Sequence, residues 1–338
     1  MRTSVPRMGK KILVFHQGAI GDIILAFSAL TRIPDTPSFD IYCQGIFAGL
    51  LQKLLLVDHV FPVEHKSTAT LFSGKPEPGL SRRLGCYDAI ILFSSSNVLK
   101  QTIRASVPSQ VLAIRPRPAP SVRVHTTDFL LYQLRHVFTE LRAPAVPPPA
   151  VFPDGSDSTT ILIHPGSGSP RKNWPLERFY TVSKDLQANG FRTEWILGPA
   201  EHSLYSELTS RGIGSNSIHR LTDLLAVLSL METARAFIGN DSGLSHLAAF
   251  CGTPTVTIFG PSDPVQWRPR GPHARSLSPL YHCDPCFLAK NANCREEYCL
   301  NSIVPQLVEQ ALIRVLDHAR PSSPRPGEPA DWPATRIL

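Results

Sequence analysis

The chain has 338 residues, of which 42% are hydrophobic, so it is long and apolar enough for two domains with separate cores. No apolar run reaches the roughly 20 residues that a membrane-spanning helix needs. The apolar run after the basic N-terminus breaks at residues 16–18, which is too early for a secretory signal. These features argue against an integral membrane protein or a secreted protein and predict a cytoplasmic location.

The net charge of +7 is unevenly distributed. Residues 1–150 carry 17 Lys and Arg against 9 Asp and Glu, whereas residues 151–338 carry 17 against 18. The N-terminal part therefore has a net charge of +8. Such a basic excess suggests a phosphate-bearing partner: a nucleic acid, a membrane surface or an anionic substrate. A solvated surface that serves only solubility is the alternative explanation.

The first part of the chain alternates between strand and helix patterns. It opens with a buried strand at residues 11–15, a glycine-containing loop and a helix over 23–30, which is typical of a parallel α/β sheet. The other elements predicted here are strands at 39–44, 59–64, 87–95 and 110–116, helices over 45–58 and 125–143, and a loop at 73–83.

The composition changes at residues 146–158, which are rich in proline and short polar side chains and predict a linker. The alternation then restarts with strands at 160–166, 191–199, 236–238 and 255–259 and helices over 176–190, 201–212, 221–234 and 302–319, with another helix entered at Gly243. We therefore predict two similar α/β domains that face each other across a cleft, at residues 1–145 and 159–318. A disordered tail is predicted at 319–338.

A polar turn at residues 239–242 separates a buried strand from the helix entered at Gly243. The first N–H groups of a helix and its dipole form an anion site. We predict that a diphosphate binds here, with Asp241 at the helix cap and Ser242, Gly243 and Leu244 around the ligand. His246, one turn further on, is either a ligand contact or an ordinary structural histidine.

The first glycine loop contains Gly18, Gly21 and Asp22. Its spacing is not the G-x-G-x-x-G of dinucleotide-binding folds. The glycines allow a tight turn and close approach to a ligand. Asp22 is either a first-turn acid that stabilises its own helix or a general base that reaches into the cleft.

Two segments of the second domain hold further candidates. The loop at residues 164–175 offers the Ser167 hydroxyl and the Lys172 ammonium where a phosphate would lie. Glu201 follows a Gly-Pro at a strand end, so its carboxylate is suited to two ribose hydroxyls. Equally, Glu201 is placed to stabilise its own helix as a first-turn acid.

Four cysteines are clustered late in the chain, at Cys283, Cys286, Cys294 and Cys299. Only the first pair has the spacing of a zinc site. A disulfide is not expected in a cytoplasmic protein. Reduced structural thiols are favoured over a bound metal.

Three stretches together resemble the glycosyltransferase family 9 heptosyltransferases of lipopolysaccharide assembly. They are GAIGDIILAFSAL from Gly18, HPGSGSPRKNWPLERF from His164, and GNDSGLSHLAAFCGTPTVTIFGPSDP from Gly239 with its trailing cysteine segment. The resemblance implies a GT-B fold of two Rossmann-like domains, with the donor bound mainly by the C-terminal one. It also implies an inverting transfer from ADP-L-glycero-D-manno-heptose, with no cofactor and no catalytic metal.

The resemblance also implies residue roles. Asp22 matches the catalytic base, Lys172 the basic residue at the donor phosphates, and Glu201 the acid that binds ribose. The diphosphate loop is matched by Asp241, Ser242, Gly243 and Leu244, with His246 beside it. Two departures bear on the acceptor: residues 167–169 read Ser-Gly-Ser where some members have threonines, and residues 24–27 lack the His or Pro that members often have.

The implied partners are an ADP-sugar donor, an anionic lipid-linked saccharide acceptor and the inner-membrane surface, bound peripherally. Candidates for the acceptor are Arg82, Arg83, Arg104, Arg115, Arg117 and Arg123. Nucleic acid is not expected. The alternatives are a GT-B enzyme for another nucleotide sugar, a nicotinamide-dependent oxidoreductase, and a nucleic-acid-binding protein with a zinc-held cysteine cluster. The missing G-x-G-x-x-G speaks against the oxidoreductase.

Overall fold

The structure is a computed structural model that describes residues 11–33, 39–54, 56–119, 121–138, 141, 158–279, 286 and 298–319. Within these ranges the chain forms two parallel sheets with helices packed on their faces. The predicted linker lies outside them except for Ser158, as does the tail after Ala319. The exact domain boundaries therefore stay predictions. None of the described helices is long and apolar enough to cross a bilayer.

The first sheet has five parallel strands in the spatial order β3-β2-β1-β4-β5. The strands are β1 (Ile12–His16), β2 (Phe39–Cys43), β3 (Val57–Pro62), β4 (Ala89–Phe93) and β5 (Gln110–Ile114). The helices are α1 (Ile20–Leu30), α2 (Ala48–Lys53), α3 (Lys66–Phe72), α4 (Pro78–Leu84), α5 (Asn97–Ser106) and α6 (Thr126–Arg135).

The second sheet has six parallel strands in the order β11-β10-β9-β6-β7-β8. The strands are β6 (Thr160–His164), β7 (Arg192–Leu197), β8 (Ile218–Arg220), β9 (Ala236–Asn240), β10 (Thr255–Ile258) and β11 (Ala274–Leu277). The helices are α7 (Leu176–Ala188), α8 (Leu204–Ser210), α9 (Leu224–Thr233), α10 (Gly243–Phe250), α11 (Pro264–Trp267), α12 (Tyr298–Asn301) and α13 (Pro305–Ala319).

Several predicted elements have different bounds. The helix predicted over 45–58 is a 3-10 turn followed by the short α2, because Val57 already pairs with Phe39 as the start of β3. The predicted loop at 73–83 contains α4, which begins with Pro78 in the first turn, where its missing N–H costs nothing. The helix predicted over 125–143 is α6, which ends at Arg135. The edge strands β8 and β11 are too short for a clear periodic pattern.

The inner strands of the two sheets are buried on both faces. Their successive residues alternate between cores. In β1, Leu13 and Phe15 pack into a core under α3, α4 and α5, whereas Ile12 and Val14 enter a central core. That central core also contains Phe237 and other buried side chains from the second sheet and from α9 and α10. The two units therefore share one hydrophobic layer, in which α1 packs on α10 and α2 on α9.

Each sheet has a topological switch point. β1 lies between β2 and β4, and β6 lies between β7 and β9. The connections leave such a pair of strands toward opposite faces, which opens a crevice at their carboxyl ends. The loops that follow β1, β6 and β9 carry Asp22, Lys172 and Asp241, so the fold brings these candidate residues to the two switch points. Glu201 follows β7.

The closest approach between the units is at the first turns of α1 and α10. A Cβ added to Gly243 would lie 2.4 Å from Ile20 Cγ2, and one added to Gly21 would lie 3.1 Å from His246 Cδ2. Real Cβ contacts do not become as short as the first of these distances. Glycine at position 243 is therefore required for the two helix ends to meet.

Polar contacts join the units beside this helix pair. Residues 119–128 lie against residues 263–270, where Arg123 Nε donates to Asp263 Oδ2 at 3.0 Å. Arg270 Nη1 donates to Asp128 Oδ1 at 2.8 Å. Partly exposed ion pairs contribute little individually, so these contacts fix orientation more than they add stability.

We expect Gly243→Ala to lower the free energy of unfolding by about 1–3 kcal/mol, because the added methyl group overpacks the contact with Ile20. Denaturant unfolding of the full chain measures this change. Gly214→Ala is the control, since a Cβ there meets nothing within 4 Å, and it should change stability by less than about 0.5 kcal/mol. Equal stability of the two variants would contradict the overpacked helix contact.

Candidate active site

A cavity of about 410 Å³ lies between the two units at the carboxyl ends of the strands. Its wall combines the start of α1, the loop after β6, the start of α10 and the segments joined by Arg123 and Asp263. The side chains and backbone in its wall include Asp22, Arg117, Lys172, Asp241, Ser242, Gly243, His246, Ser262 and Gln266. The structure places Asp22 and residues 241–243 of the predicted diphosphate loop in the wall of one cavity, and their roles stay predictions.

A second cavity, of about 260 Å³, adjoins the first. The two share Gly168, Ser242 and Gly243 in their walls. The second cavity is otherwise more apolar and is bounded by side chains around β7 and α9, with the buried polar groups His164 and Glu201 in its wall. Ser167 and Leu244 also lie in its wall. A ligand that spans both cavities must pass the N-terminus of α10.

Asp22 occupies the third position of α1, and both interpretations of it from the sequence are compatible with its surroundings. Its Oδ2 accepts a hydrogen bond from the Ala19 N–H at 3.3 Å, which closes the first turn. Gly18 allows the loop to fold over it, because a Cβ there would lie 2.9 Å from Asp22 Cβ. Burial raises the pKa of Asp22, and Arg117 and Lys172 partly oppose this rise.

Asp241 does not cap α10, contrary to the sequence prediction. The N-cap is Ser242, whose Oγ accepts from the Ser245 N–H at 3.4 Å. The buried Asp241 carboxylate instead lies 2.8 Å from Lys172 Nζ. This ion pair neutralises a carboxylate that would otherwise repel an anion at the helix N-terminus, and it fixes Lys172 in the wall of the larger cavity.

Asn240, at the end of β9, was not identified from the sequence. Its side chain is fully buried and bonds both ends of the loop after β6. Nδ2 donates to the Pro165 carbonyl at 2.7 Å, and Oδ1 accepts from the Trp174 N–H at 2.9 Å. The loop that carries Ser167 and Lys172 is therefore held to β9 by one amide.

Glu201 lies in a 3-10 turn and is buried against Gly166, where a Cβ would clash with its carboxylate at 2.2 Å. Burial by itself raises the pKa of Glu201, but the His164 ring and the Gly198 N–H bring it below the usual value. The Gly198 bond is 2.9 Å long. Glu201 is thus held as a carboxylate at the second cavity, and His164 is a partner that the sequence analysis did not single out.

Three histidines near the site are neutral near pH 7 because they are buried. Burial lowers the pKa of His16, His125 and His246 to about 4 in each case. His246 packs against Gly21 and lines the larger cavity, so it is both a packing residue and a cavity residue. His16, at the end of β1, accepts from the Gly18 N–H through Nδ1 at 3.1 Å and shapes the Asp22 loop.

The remaining candidate residues, Ser167 and the six arginines, differ in whether they line a cavity. Ser167 Oγ bonds the Ser169 carbonyl and Asn173 Oδ1, each at 2.7 Å, so it shapes its own loop as well as lining the second cavity. Of the six arginines, Arg117 and Arg123 line the larger cavity. The other four lie outside both cavity walls: Arg82, Arg83, Arg104 and Arg115.

The cysteine cluster is only partly described. Cys283 and Cys294 lie outside the described residues. Cys286 Sγ accepts from Arg171 Nη2 at 3.8 Å, and Cys299 lies in α12. No group of three His, Cys, Asp or Glu side chains suited to a metal ion occurs in the part of the chain that the structure describes. The preference for structural thiols over a metal stays a prediction.

The sequence of this chain is similar to those of known proteins. The family model described as "Glycosyltransferase family 9 (heptosyltransferase)" matches residues 133–296. Lipopolysaccharide heptosyltransferase 3 of Escherichia coli (strain K12) is 32% identical over 113 residues, which cover 32% of this chain and 33% of that protein. The predicted resemblance to glycosyltransferase family 9 is confirmed. Alignments with the first curated relatives span between about a third and about a half of their length.

Solved structures of family 9 proteins extend the likeness to the whole fold. The glycosyl transferase family 9 structure from Veillonella parvula DSM 2008 has a TM-score of 0.73 at 18% identity, covering 93% of this chain and 99% of that chain. The E. coli heptosyltransferase WaaC with ADP has a TM-score of 0.65 at 17% identity and covers 90% of this chain and 99% of that chain. The predicted GT-B fold, with two facing Rossmann-like units, is confirmed.

We expect Asn240→Ala to lower the free energy of unfolding by about 2–4 kcal/mol, because it removes the partners of buried backbone groups at both ends of the β6 loop. Chemical denaturation measures the change. Asn216→Ala, at an exposed position, is the matched control and should stay within about 0.5 kcal/mol. A similarly small effect at Asn240 would show that the loop does not depend on this amide.

Proposed function

We propose that the protein is an inverting glycosyltransferase that moves a heptose from ADP-heptose to an acceptor sugar of the lipopolysaccharide inner core. One observation carries the proposal: Asp22 from one unit and the Lys172–Asp241 pair from the other line a single cavity. A base and a charged phosphate site are the two groups that a single displacement at a nucleotide sugar needs.

The nucleoside of the donor is assigned to the second cavity. Its apolar walls suit a base, and the buried Glu201 carboxylate suits the ribose hydroxyls. The residues shared by the two cavities lie at the start of α10, where backbone N–H groups and the helix dipole favour a diphosphate. The related heptosyltransferase WaaC has been solved with ADP and with ADP-2-deoxy-2-fluoro heptose, which supports an adenine nucleotide here.

In the proposed displacement, the first unit supplies the base and the second unit stabilises the leaving group. Asp22 removes the proton from the acceptor hydroxyl as the hydroxyl oxygen attacks the anomeric carbon. The bond from that carbon to the diphosphate oxygen breaks on the opposite face, so the configuration inverts and ADP leaves. The raised pKa of Asp22 makes it a stronger base than an exposed aspartate. By analogy with glycoside hydrolysis, the transition state has oxocarbenium character.

The negative charge that develops on ADP is met by the second unit. The Lys172 ammonium supplies positive charge in the larger cavity, and the N-terminus of α10 supplies it where the two cavities meet. Asp241 keeps Lys172 in position before the donor arrives. The pair is half-buried to buried, so its geometry is fixed and little reorganisation accompanies bond cleavage.

The acceptor is assigned to the side of the first unit. Arg117 and Arg123 line the larger cavity and come from the basic part of the chain. They suit the anionic groups of a lipid-linked saccharide. Such an acceptor is presented at the cytoplasmic face of the inner membrane, so the proposal includes peripheral contact with that surface.

Calorimetric titration of the full chain with ADP-heptose, UDP-glucose and GDP-mannose tests the donor assignment. We expect binding of ADP-heptose with at least about tenfold preference, equal to about 1.4 kcal/mol, because the apolar second cavity and Glu201 hold the adenosine. Tighter binding of a UDP or GDP sugar would favour another nucleotide-sugar transferase of the same fold.

Asp22→Asn should reduce the transfer rate by about 10²–10⁴-fold, while ADP affinity stays within about twofold. The asparagine Oδ1 still accepts from the Ala19 N–H, so the helix start is retained. In the unaltered enzyme the rate should fall with decreasing pH at a value above the ordinary aspartate pKa of about 4, because burial raises the pKa of Asp22.

The control for this variant is Glu177→Gln, which alters an exposed first-turn acid of α7 outside both cavities. Its transfer rate should equal that of the unaltered chain. Near-normal turnover of Asp22→Asn, measured by release of ADP and by product mass, would mean that another group accepts the proton.

A further inference from the structure

The first-unit chain just before α6 lies along α11 of the second unit. Gln266, within α11, donates from Nε2 to the Val122 carbonyl at 2.7 Å and to the Ala119 carbonyl at 3.3 Å. The His125 ring contacts the Arg268 carbonyl through Nε2 at 2.9 Å. The second unit therefore holds this part of the first unit by hydrogen bonds at several points.

The Gln266 amide is itself fixed in place. Gln266 is 3% exposed, so close packing leaves its side chain few alternative rotamers. Asp263 caps α11 by accepting from the Val265 N–H at 2.9 Å, and it also accepts from Arg123 Nε of the first unit at 3.0 Å. Gln266 therefore holds two carbonyl groups of the first unit at a fixed position relative to α11.

The carbonyl groups that Gln266 holds lie just after Arg117, in a stiff stretch of backbone. A proline stands on each side of Arg117, and proline fixes its own φ and restricts the residue before it. Ala119 is two residues after Arg117. At the other end, Gln133 bonds both the N–H and the carbonyl of Arg115, at 2.8 and 3.0 Å. The backbone at Arg117 therefore has few alternative conformations while both ends are held.

Arg117 is the residue of this stretch that is placed to meet the acceptor. Arg117 and Asp22 lie in the wall of the same cavity, and the Arg117 charge opposes the rise in the pKa of Asp22 that burial causes. In the proposed function the attacking hydroxyl lies at Asp22, and Arg117 binds an anionic group of the same acceptor. A guanidinium binds such a group through directed hydrogen bonds, so its orientation affects acceptor binding.

From these contacts we infer that Gln266 is a positioning residue, which holds Arg117 of the other unit in the orientation that binds the anionic acceptor. Gln266 acts through Arg117, and it is absent from the wall of the second cavity, which is assigned to the nucleoside. This inference rests on the proposed function, because it uses the assignment of the acceptor to the Arg117 side of the larger cavity.

Steady-state kinetics of the full-length Gln266→Met protein test this role. Methionine has a similar length but no N–H group to donate. The acceptor probe is lipopolysaccharide purified from a strain that lacks this enzyme. We expect the KM for this acceptor to rise roughly fivefold or more, with kcat and calorimetric ADP affinity within about twofold, which is the pattern of lost acceptor binding.

A double-mutant cycle with Arg117→Ala separates positioning from a general loss of structure. In the Arg117→Ala background, Gln266→Met should change the acceptor KM by less than about twofold, because the side chain that Gln266 positions is already absent. Additive effects of the two substitutions would overturn the inference, since Gln266 would then act independently of Arg117.

Gln52→Met is the matched control. Gln52 Nε2 also donates to a backbone carbonyl, that of Asp58 at 2.8 Å, but Gln52 lines neither cavity. The acceptor KM of this variant should equal that of the unaltered chain. An increase as large as that of Gln266→Met would overturn the inference, since loss of a side-chain contact to the backbone anywhere in the first unit would then explain the effect.

The remaining outcomes separate the inference from the proposed function. An acceptor KM within about twofold in Gln266→Met, or a loss of kcat or ADP affinity as large as the rise in KM, would overturn the role of Gln266 and leave the proposed function intact. Absence of heptose transfer by the unaltered chain would overturn the proposed function, and with it the inference.

Discussion

The close contact between the first turns of α1 and α10 is the constraint on which the site depends. It brings Asp22 of one sheet and the diphosphate loop of the other to the same cavity. The contact needs glycine at position 243, because a methyl group there would overlap Ile20. The absence of a side chain at position 243 therefore allows the two units to pack together. The same packing places the group assigned to proton removal and the groups assigned to phosphate binding in one cavity.

Two buried carboxylates in the walls of the cavities have a defined counterpart. Lys172 neutralises Asp241 at 2.8 Å, and Glu201 is held as a carboxylate by His164 and the Gly198 N–H. Asp22 is the exception, since burial raises its pKa and its helix bond is long. A carboxylate whose charge is not fully stabilised is a better proton acceptor than its neighbours, which is why the proposed mechanism assigns the base to this residue.

The sequence was most informative where a strand is followed directly by glycine and polar residues. The loops around Asp22, Lys172 and Asp241 follow that pattern, and all three line the larger cavity. Asn240 and His164 were not recognised because each acts through a partner far along the chain: Asn240 bonds residues 66 to 75 positions away. Such pairs leave no local pattern in one sequence.

Local patterning by itself determined that this chain builds two parallel α/β units, because continuous apolar strands and amphipathic helices allow few other architectures. It also determined which loops carry polar chemistry. Only the tertiary structure decided that Ser242 and not Asp241 caps α10, that Lys172 pairs with Asp241, and that Arg117 and Arg123 line the cavity whereas four other arginines do not. The physical reason for the ion pair and the cavity lining is that the distances between segments are set by how the two sheets pack. The cap is decided locally, by which residue keeps an extended backbone before the first turn of α10.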